Sequence, residues 1–154
     1  QMDQHFPDAP RAVVLAIFLH DVIYQPRLPY SELHSARFAR EHLPKLGITA
    51  MEVSKVARMI ATTKDHIAQN VDQAIVCDLD LVSLAYPPKR YQKNTARIRR
   101  EYGMYSDEQW NMGRQRFAGK ILAREHIYAT PEFQKFEAKA RQNLEDEIAA
   151  GVTG

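Results

Sequence analysis

Signals for the start of a helix recur along the whole 154-residue chain, and they constrain its fold more than any other feature. They include polar N-cap residues, capping boxes at 49–52 and 106–109, and prolines at first helical positions. After the first helix, the predicted starts are Ser31, Thr49, Asn70, Pro88, Ser106 and Thr130. No segment alternates apolar and polar residues convincingly, as a half-buried strand does. The sequence therefore predicts an all-α fold of about six to seven helices, in a single domain spanning residues 1–154.

The most apolar stretch, VVLAIFLHDVIY at residues 13–24, belongs to the first predicted helix, which runs to about Tyr24. Ten of its twelve side chains are apolar or aromatic, and the other two are His20 and Asp21. A helix that is apolar all round is buried on every side, so we expect neighbouring elements to surround this one.

Two interpretations of the His20–Asp21 pair are open at this point, since a buried carboxylate needs a partner. In the first, His20 pairs with nearby groups, and Asp21 emerges at the helix end to meet an arginine or lysine. In the second, a divalent metal ion neutralises Asp21 and accepts a lone pair from neutral His20. Adjacent helical residues point about 100° apart, so the metal interpretation requires further ligands from other helices.

Two aspartates among apolar residues are candidates for those ligands. Asp78 and Asp80 lie in VCDLDLVSL, residues 76–84. At positions i and i+2 of a helix they face different ways, so only one of them is expected to reach an ion. The alternative is that both flank a helix start, where acidic residues are favoured, although Asn70 would place that start two to three turns earlier.

The segment TTKDH, residues 62–66, offers two more candidates at the end of the third predicted helix. Three roles are open for His66: a metal ligand, a substrate contact, or a cation at the C-terminal end of a helix. Chemistry alone slightly favours the cation, because the helix dipole stabilises positive charge there. Lys64 either binds a phosphate group or is an ordinary solvated lysine.

Charge and cysteine content narrow the class of protein. The net charge is +2, with 21 basic and 19 acidic residues, so the total makes no case for nucleic acid or a membrane as partner. The longest apolar run, Val13–Leu19, is far shorter than the ~20 residues that cross a bilayer. Cys77 is the single cysteine, which excludes an internal disulfide and favours a reducing compartment, here the cytoplasm.

The fifth predicted helix carries a basic face and an opposite apolar face. The basic face has Lys89, Lys93, Arg97 and Arg100, and the opposite stripe has Tyr91, Thr95, Ile98 and Tyr102. A solvated amphipathic helix is the more common explanation of such a pattern. The other is an anion-binding face for a nucleotide, a nucleic acid or an acidic partner.

Eight stretches, in this order, resemble the HD-domain superfamily of metal-dependent phosphohydrolases, and within it a bacterial group of HD-superfamily hydrolases. They are FLHDVIY (18–24), SELHSA (31–36), IATTKDH (60–66), DLDLVSL (78–84), IRREY (98–102), GRQRFAGKIL (113–122), IYATPEF (127–133) and ARQNLEDEI (140–148). The resemblance covers almost the whole chain and implies an HD-type helical bundle that binds a metal through His, His-Asp and a later Asp.

By this resemblance His20 and Asp21 match the pair that names the superfamily. Asp80 matches the later aspartate best, because LDL resembles an Ala-Asp-Leu-like segment, and Asp78 is the alternate. Glu32 matches the family's second-helix motif, where Ser31 replaces the usual asparagine. The family's first metal histidine precedes the pair by a few tens of residues, and we expect that an upstream helix carrying it is missing from this chain.

The activity that the resemblance implies is hydrolysis of a small phosphoester, nucleotides included, by a metal-activated water. Asp21 would bind the metal and orient the water, and Glu32 would orient a ligand. His66 would protonate the leaving oxygen or contact the substrate, and Lys64 or an arginine would hold the phosphate. Mn, Mg, Fe, Co, Ni or Zn would suit such ligands, and the oligomeric state is open.

Two other classes of function fit the same residues. One is a non-catalytic HD-type module that binds a nucleotide or a protein partner in a regulatory role. The other is a helical scaffold with a structural metal, which would leave no coordination position for water.

Overall fold

The predicted helix signals correspond to helices in the computed structural model, which describes residues 10–27 and 30–152. Within these ranges there are eight α-helices, two 3-10 turns and no β-strand, which confirms the predicted all-α class. The chain divides into two compact units, residues 1–80 and 81–154, which are described separately below. The expectation of a single domain stays a prediction.

The first unit is built from four helices around a core of small and β-branched side chains. The helices are α1 (Arg11–Leu19), α2 (Ser31–His42), α3 (Ala50–Thr62) and α4 (Val71–Leu81), with a 3-10 turn at Leu43–Leu46. α3 packs against both α1 and α2. The fully buried side chains include Val13, Ala16, Ala39, Val56, Ala57, Ile60 and Val76. Small residues let the helix axes approach closely, and the β-branched ones fill the remaining space with few rotamers.

The second unit begins with a 3-10 turn at Val82–Ala85 and continues with four helices. These are α5 (Pro88–Glu101), α6 (Asp107–Leu122), the short α7 (Pro131–Gln134) and α8 (Glu137–Val152). α8 packs against α6 and against the 3-10 turn. The buried side chains include Leu84, Ala118, Ile121, Tyr128, Phe133, Ala140 and Leu144.

Two polar side chains of α8 satisfy backbone carbonyls elsewhere in the second unit. The Arg141 guanidinium donates to the carbonyl oxygens of Leu122 and Arg124 at 3.0 and 2.8 Å, just where α6 ends. The Asn143 amide donates to the Leu84 carbonyl at 2.7 Å. Carbonyls at a helix end have no partner within the helix, so these bonds fix α8 in position.

Two of the predicted helix starts are confirmed by their hydrogen bonds. The Asn70 side-chain oxygen accepts from the Gln73 backbone N–H at 3.0 Å. At the start of α6, the Ser106 hydroxyl accepts from the Gln109 N–H at 3.2 Å, and the Gln109 side chain accepts from the Ser106 N–H at 3.0 Å. This is the reciprocal capping box that the sequence predicts.

The predicted capping box at Thr49 is only half formed. The Thr49 hydroxyl accepts from the Glu52 N–H at 3.3 Å, as expected. The Glu52 carboxylate instead accepts from the Arg11 guanidinium of α1, at 2.8 and 2.5 Å. A charge-assisted pair of bonds is stronger than a bond to a neutral amide, which explains why the reciprocal half of the prediction is wrong.

The prediction for the first helix is wrong in two respects. α1 ends at Leu19, so residues 20–24 continue as a turn and an irregular segment. The expectation of burial on every side also fails, because the Phe18 side chain is 77% exposed and Val22 and Tyr24 are near 40%. No helix in the described part of the chain has both the length and the apolarity to cross a membrane.

Candidate metal centre

His20 is the first residue after α1, and its ring closes the end of that helix. The ring Nδ1 lies 2.7 Å from the carbonyl oxygen of Ile17. A carbonyl can only accept, so Nδ1 carries the hydrogen and donates it. The side chain therefore satisfies one of the helix-end carbonyls and leaves Nε2 as the ring position free to bind something else.

Two carboxylates converge on that free nitrogen. His20 Nε2 lies 3.2 Å from Asp21 Oδ2 and 3.2 Å from Asp80 Oδ1. One ligand atom from each of the three residues lies within 4.8 Å of the other two. Asp21 comes from the turn after α1, and Asp80 comes from α4. The first unit thus brings three potential metal ligands together from two separate segments.

The pair is less buried than the sequence suggests. The His20 and Asp80 side chains are 17% and 25% exposed, whereas Asp21 is 56% exposed. The expectation that both members of the pair lie inside a buried helix is therefore wrong, since neither residue is in α1 and Asp21 is also largely exposed. The helix ends before the pair, so the chain turns and Asp21 faces the solvent side of the cluster.

Of the two candidate aspartates on α4, only Asp80 reaches the cluster. Asp78 is 1% exposed and is not part of the ligand group. Two residues along a helix correspond to a rotation of about 200°, so Asp80 can face His20 only if Asp78 faces the interior.

His66 contacts Asp80 from the other side. Its Nε2 lies 2.9 Å from Asp80 Oδ2, the oxygen that does not face His20. The residue follows the end of α3 in the left-handed region, at φ 58°, and its backbone N–H donates to the Thr62 carbonyl at 2.8 Å. His66 thus lies at the helix end, as one interpretation expects, and its ring donates to a candidate ligand. Such a bond fixes the orientation of a ligand carboxylate.

The other two predicted site residues lie outside the ligand group. Lys64 is exposed, and its Nζ lies 4.2 Å from the centre of the Tyr30 ring, a cation–π distance. Glu32 is in the first turn of α2 and is half-buried. The roles of Lys64 in phosphate binding and of Glu32 in ligand orientation stay predictions.

Ser35 is a positioning residue that the sequence analysis missed. Its hydroxyl accepts from the Ile23 N–H at 3.1 Å and donates to the Ile23 carbonyl at 3.2 Å, and its side chain is fully buried. These bonds hold the segment that follows Asp21 against α2. A serine four residues before the buried Ala39, on the same face of α2, was the available signal.

Ser35→Ala is expected to destabilise the chain by about 1–3 kcal/mol, because it leaves the Ile23 N–H and carbonyl without their partner. Chemical denaturation measures this. Ser54→Ala on α3 serves as a control, since that hydroxyl takes part in an exposed side-chain bond to Arg58. Equal stability of Ser35→Ala and the parent chain would contradict the proposed anchoring.

Opposing effects set the charge state of the cluster. Burial lowers the pKa of His20, but the hydrogen bonds and charges of Asp21 and Asp80 outweigh it and raise that pKa to about 10. Burial raises the pKa of Asp80, but His20 and His66 lower it overall to about 2. In the absence of a metal, His20 therefore holds a proton that the two carboxylates share.

The stability of the metal-free chain is expected to fall as the pH rises from about 7 to 10. The folded pKa of His20 lies above its ordinary value of 6.5, so its contribution is complete below 6.5 and is lost as the pH approaches 10. Each pKa unit is worth about 1.4 kcal/mol, so the loss amounts to several kcal/mol.

Denaturation with chelator present measures this loss in the parent chain, in His20→Gln and in the control His126→Gln, an exposed histidine. The loss should disappear in His20→Gln and persist in His126→Gln. An unchanged pH dependence in His20→Gln would contradict the assignment.

Fold and site together define an all-helical protein with a candidate His-Asp-Asp metal centre in its first unit. Comparisons with protein-family models, with curated proteins and with solved structures each found no match.

Proposed function

We propose that this chain is a metal-dependent phosphohydrolase of the HD type that acts on a small phosphoester, nucleotides included. One observation carries the proposal. The Nε2 of His20, whose other ring nitrogen is engaged by a carbonyl, lies 3.2 Å from a carboxylate oxygen of Asp21 and of Asp80. Without a metal, the proton on Nε2 holds the two carboxylates there, and a divalent cation can replace that proton and take a lone pair from each of the three residues.

The donor set fits a divalent cation. Two carboxylates balance its two charges, and the mixture of oxygen and imidazole ligands suits Mn, Fe, Co, Ni or Zn, with Mg favoured less. Within the described residues the group offers three protein ligands, the number typical of catalytic zinc sites, which keep a position for water.

A divalent ion bound by these residues would supply a water of lowered pKa and would offset negative charge on a phosphoryl group. Three residues of the chain would position the water, the metal ligand and the phosphate. Asp21, the exposed member, can accept a hydrogen bond from an attacking water. His66 holds the Asp80 carboxylate in place through the bond to Oδ2. Lys64 is an exposed cation two residues before His66 and supplies a charge for the phosphate.

The test is hydrolysis of a panel of phosphomonoesters, phosphodiesters and nucleotides, with Mn, Mg, Co and Ni supplied in turn. Turnover is expected with at least one substrate and metal. Asp80→Asn should reduce kcat/KM at least about 100-fold, since even residues that only support metal ligands typically contribute 10–100-fold. Asp72→Asn, in the first turn of the same helix, is the matched control and should stay within about twofold.

Two outcomes would count against the enzyme. Equal turnover by Asp80→Asn and the parent chain would place the activity elsewhere. Metal-dependent nucleotide binding with no turnover of any substrate would instead favour the regulatory module.

A further inference from the structure

The net positive charge of this chain arises from one helix. Residues 88–101, which form α5, carry six basic side chains and one acidic one, although the whole chain has a net charge of only +2. The remainder of the chain is therefore net negative. The total charge, which gave no reason to expect a nucleic acid partner, conceals this local excess.

Four of the cations form a continuous line on the solvent face of α5. Lys89, Lys93, Arg97 and Arg100 fall within about 80° of the helix circumference and span ~16 Å along its axis. All four are exposed. Tyr91, on the opposite side of the helix, is 6% exposed and packs inside the second unit. We call these four residues the basic stripe.

In the part of the chain that the structure describes, the basic stripe makes no ion pair that would stabilise the fold. Within the described ranges, none of the four cations pairs with a carboxylate, and the ion pairs of the second unit use other residues. Arg99 of the same helix shows the contrast, since it donates to Asp107 at 2.8 Å and to the Tyr105 carbonyl at 3.0 Å. Like charges four residues apart destabilise a helix by about 0.2–0.5 kcal/mol per pair. The basic stripe therefore destabilises α5, and no ion pair of its four residues offsets this within the described chain.

We propose that the basic stripe of α5 is a docking surface for the phosphate backbone of a nucleic acid. Its cations are spaced 4.5–6 Å apart along the helix axis, so the line of ~16 Å can face several phosphates of a duplex that carries one charge per strand every ~3.4 Å of its own axis. Two are arginines, whose planar guanidinium donates two parallel hydrogen bonds to a phosphate. Arg90 extends the stripe at one edge, where its guanidinium stacks on the Tyr86 ring at 3.8 Å.

The surroundings of the stripe favour nucleic acid over a membrane. A helix that lies on a membrane inserts a large apolar face beside its cations. The apolar face of α5 is directed into the second unit, and none of the exposed large hydrophobic side chains of the described chain belongs to α5. Because the stripe would contact only backbone phosphates, we expect it to bind nucleic acids without sequence preference.

The test is fluorescence anisotropy with a labelled 20-base-pair DNA of mixed sequence and with its single strand. Binding to at least one probe is expected at 50 mM salt, with log K falling linearly against log salt. The double variant Lys93→Glu/Arg97→Glu should weaken binding at least tenfold and reduce the salt slope by about two, roughly one per lost phosphate contact. Thermal unfolding should find its stability close to that of the parent, since the variant exchanges one like-charge pair four residues apart for another and breaks no ion pair in the described part of the chain.

The matched control is Arg116→Glu/Lys120→Glu, which reverses two exposed cations four residues apart on α6. It should change the affinity by less than about twofold. Three results would overturn the proposal: no binding of either probe by the parent chain, an equal loss of affinity in the control, or equally tight binding of a labelled polyglutamate. The last result would identify an acidic protein as the partner. None of these outcomes bears on the metal centre, because the stripe and that centre use separate residues.

Discussion

Replacing Asp80 by asparagine is expected to lower the affinity of the chain for Mn²⁺ at least about 100-fold. The substitution removes the negative charge of a carboxylate that lies 3.2 Å from His20 Nε2, and it replaces one of the two carboxylate oxygens with an NH2 group that cannot bind a metal. Asp78→Asn is expected to change the affinity less than about fivefold, because Asp78 lies in the interior, outside the ligand group. Calorimetric titration of the chelator-treated variants measures both affinities.

Circular dichroism and thermal unfolding of the same samples separate loss of a ligand from loss of fold. The prediction applies to variants that keep the helical content of the parent. If Asp78→Asn does not fold, Asp72→Asn provides the comparison on the same helix. A larger defect in a folded Asp78→Asn than in Asp80→Asn would mean that α4 presents its other face to the metal.

Replacing Glu147 by glutamine is expected to destabilise the chain by about 3 kcal/mol. Glu147 accepts two bonds from the Arg114 guanidinium, at 2.6 and 2.8 Å, and one from the Tyr91 hydroxyl. The Arg114 and Glu147 side chains are only 16% and 19% exposed, so the substitution leaves a largely desolvated guanidinium without its counter-charge. Breaking such pairs typically costs 3–5 kcal/mol, and the residual exposure favours the lower end.

Unfolding in guanidinium chloride measures the stability of Glu147→Gln. The control is Glu145→Gln, because Glu145 is an exposed residue of the same helix. Glu145→Gln should stay within about 0.5 kcal/mol of the parent. Burial raises the pKa of Glu147, but Arg114 and Tyr91 lower it overall. The contribution of Glu147 is therefore complete above its ordinary pKa of 4.5 and is lost as the pH falls through its lowered folded-state pKa. Glu147→Gln should not show this loss of stability in acid. If the unfolding midpoint of Glu147→Gln equals that of Glu145→Gln, the bonds that Glu147 accepts from Arg114 and Tyr91 do not stabilise the fold.

Helix starts were predictable because their signals are local. A capping side chain bonds to an amide two or three residues away, as Asn70 and Ser106 do here, so a few residues of sequence contain the whole interaction. The restriction of the candidate site to one of two aspartates was predictable for a similar reason, since it follows from helix geometry alone.

The end of α1 was not predictable from its apolar run, because nothing in that run disfavours another helical turn. Its end depends on the His20 ring bonding the Ile17 carbonyl and on Ser35 holding Ile23, twelve residues away. The bond between His66 and Asp80 also joins residues fourteen apart, on segments that only the folded first unit brings together. Contacts of this kind depend on tertiary packing, which the local pattern does not contain.

The central claim, a divalent cation held by His20, Asp21 and Asp80, is tested most directly by titrating the chelator-treated chain with Co²⁺ at pH 7.5. Visible absorption counts the ions, and calorimetry in buffers of different protonation enthalpy counts the protons released. We expect one ion per chain and about one proton released per ion, because the pKa of His20 without metal is about 10 and ligation requires its Nε2 to be free. No binding of Co²⁺, or binding without proton release that His20→Gln leaves unchanged, would contradict the claim.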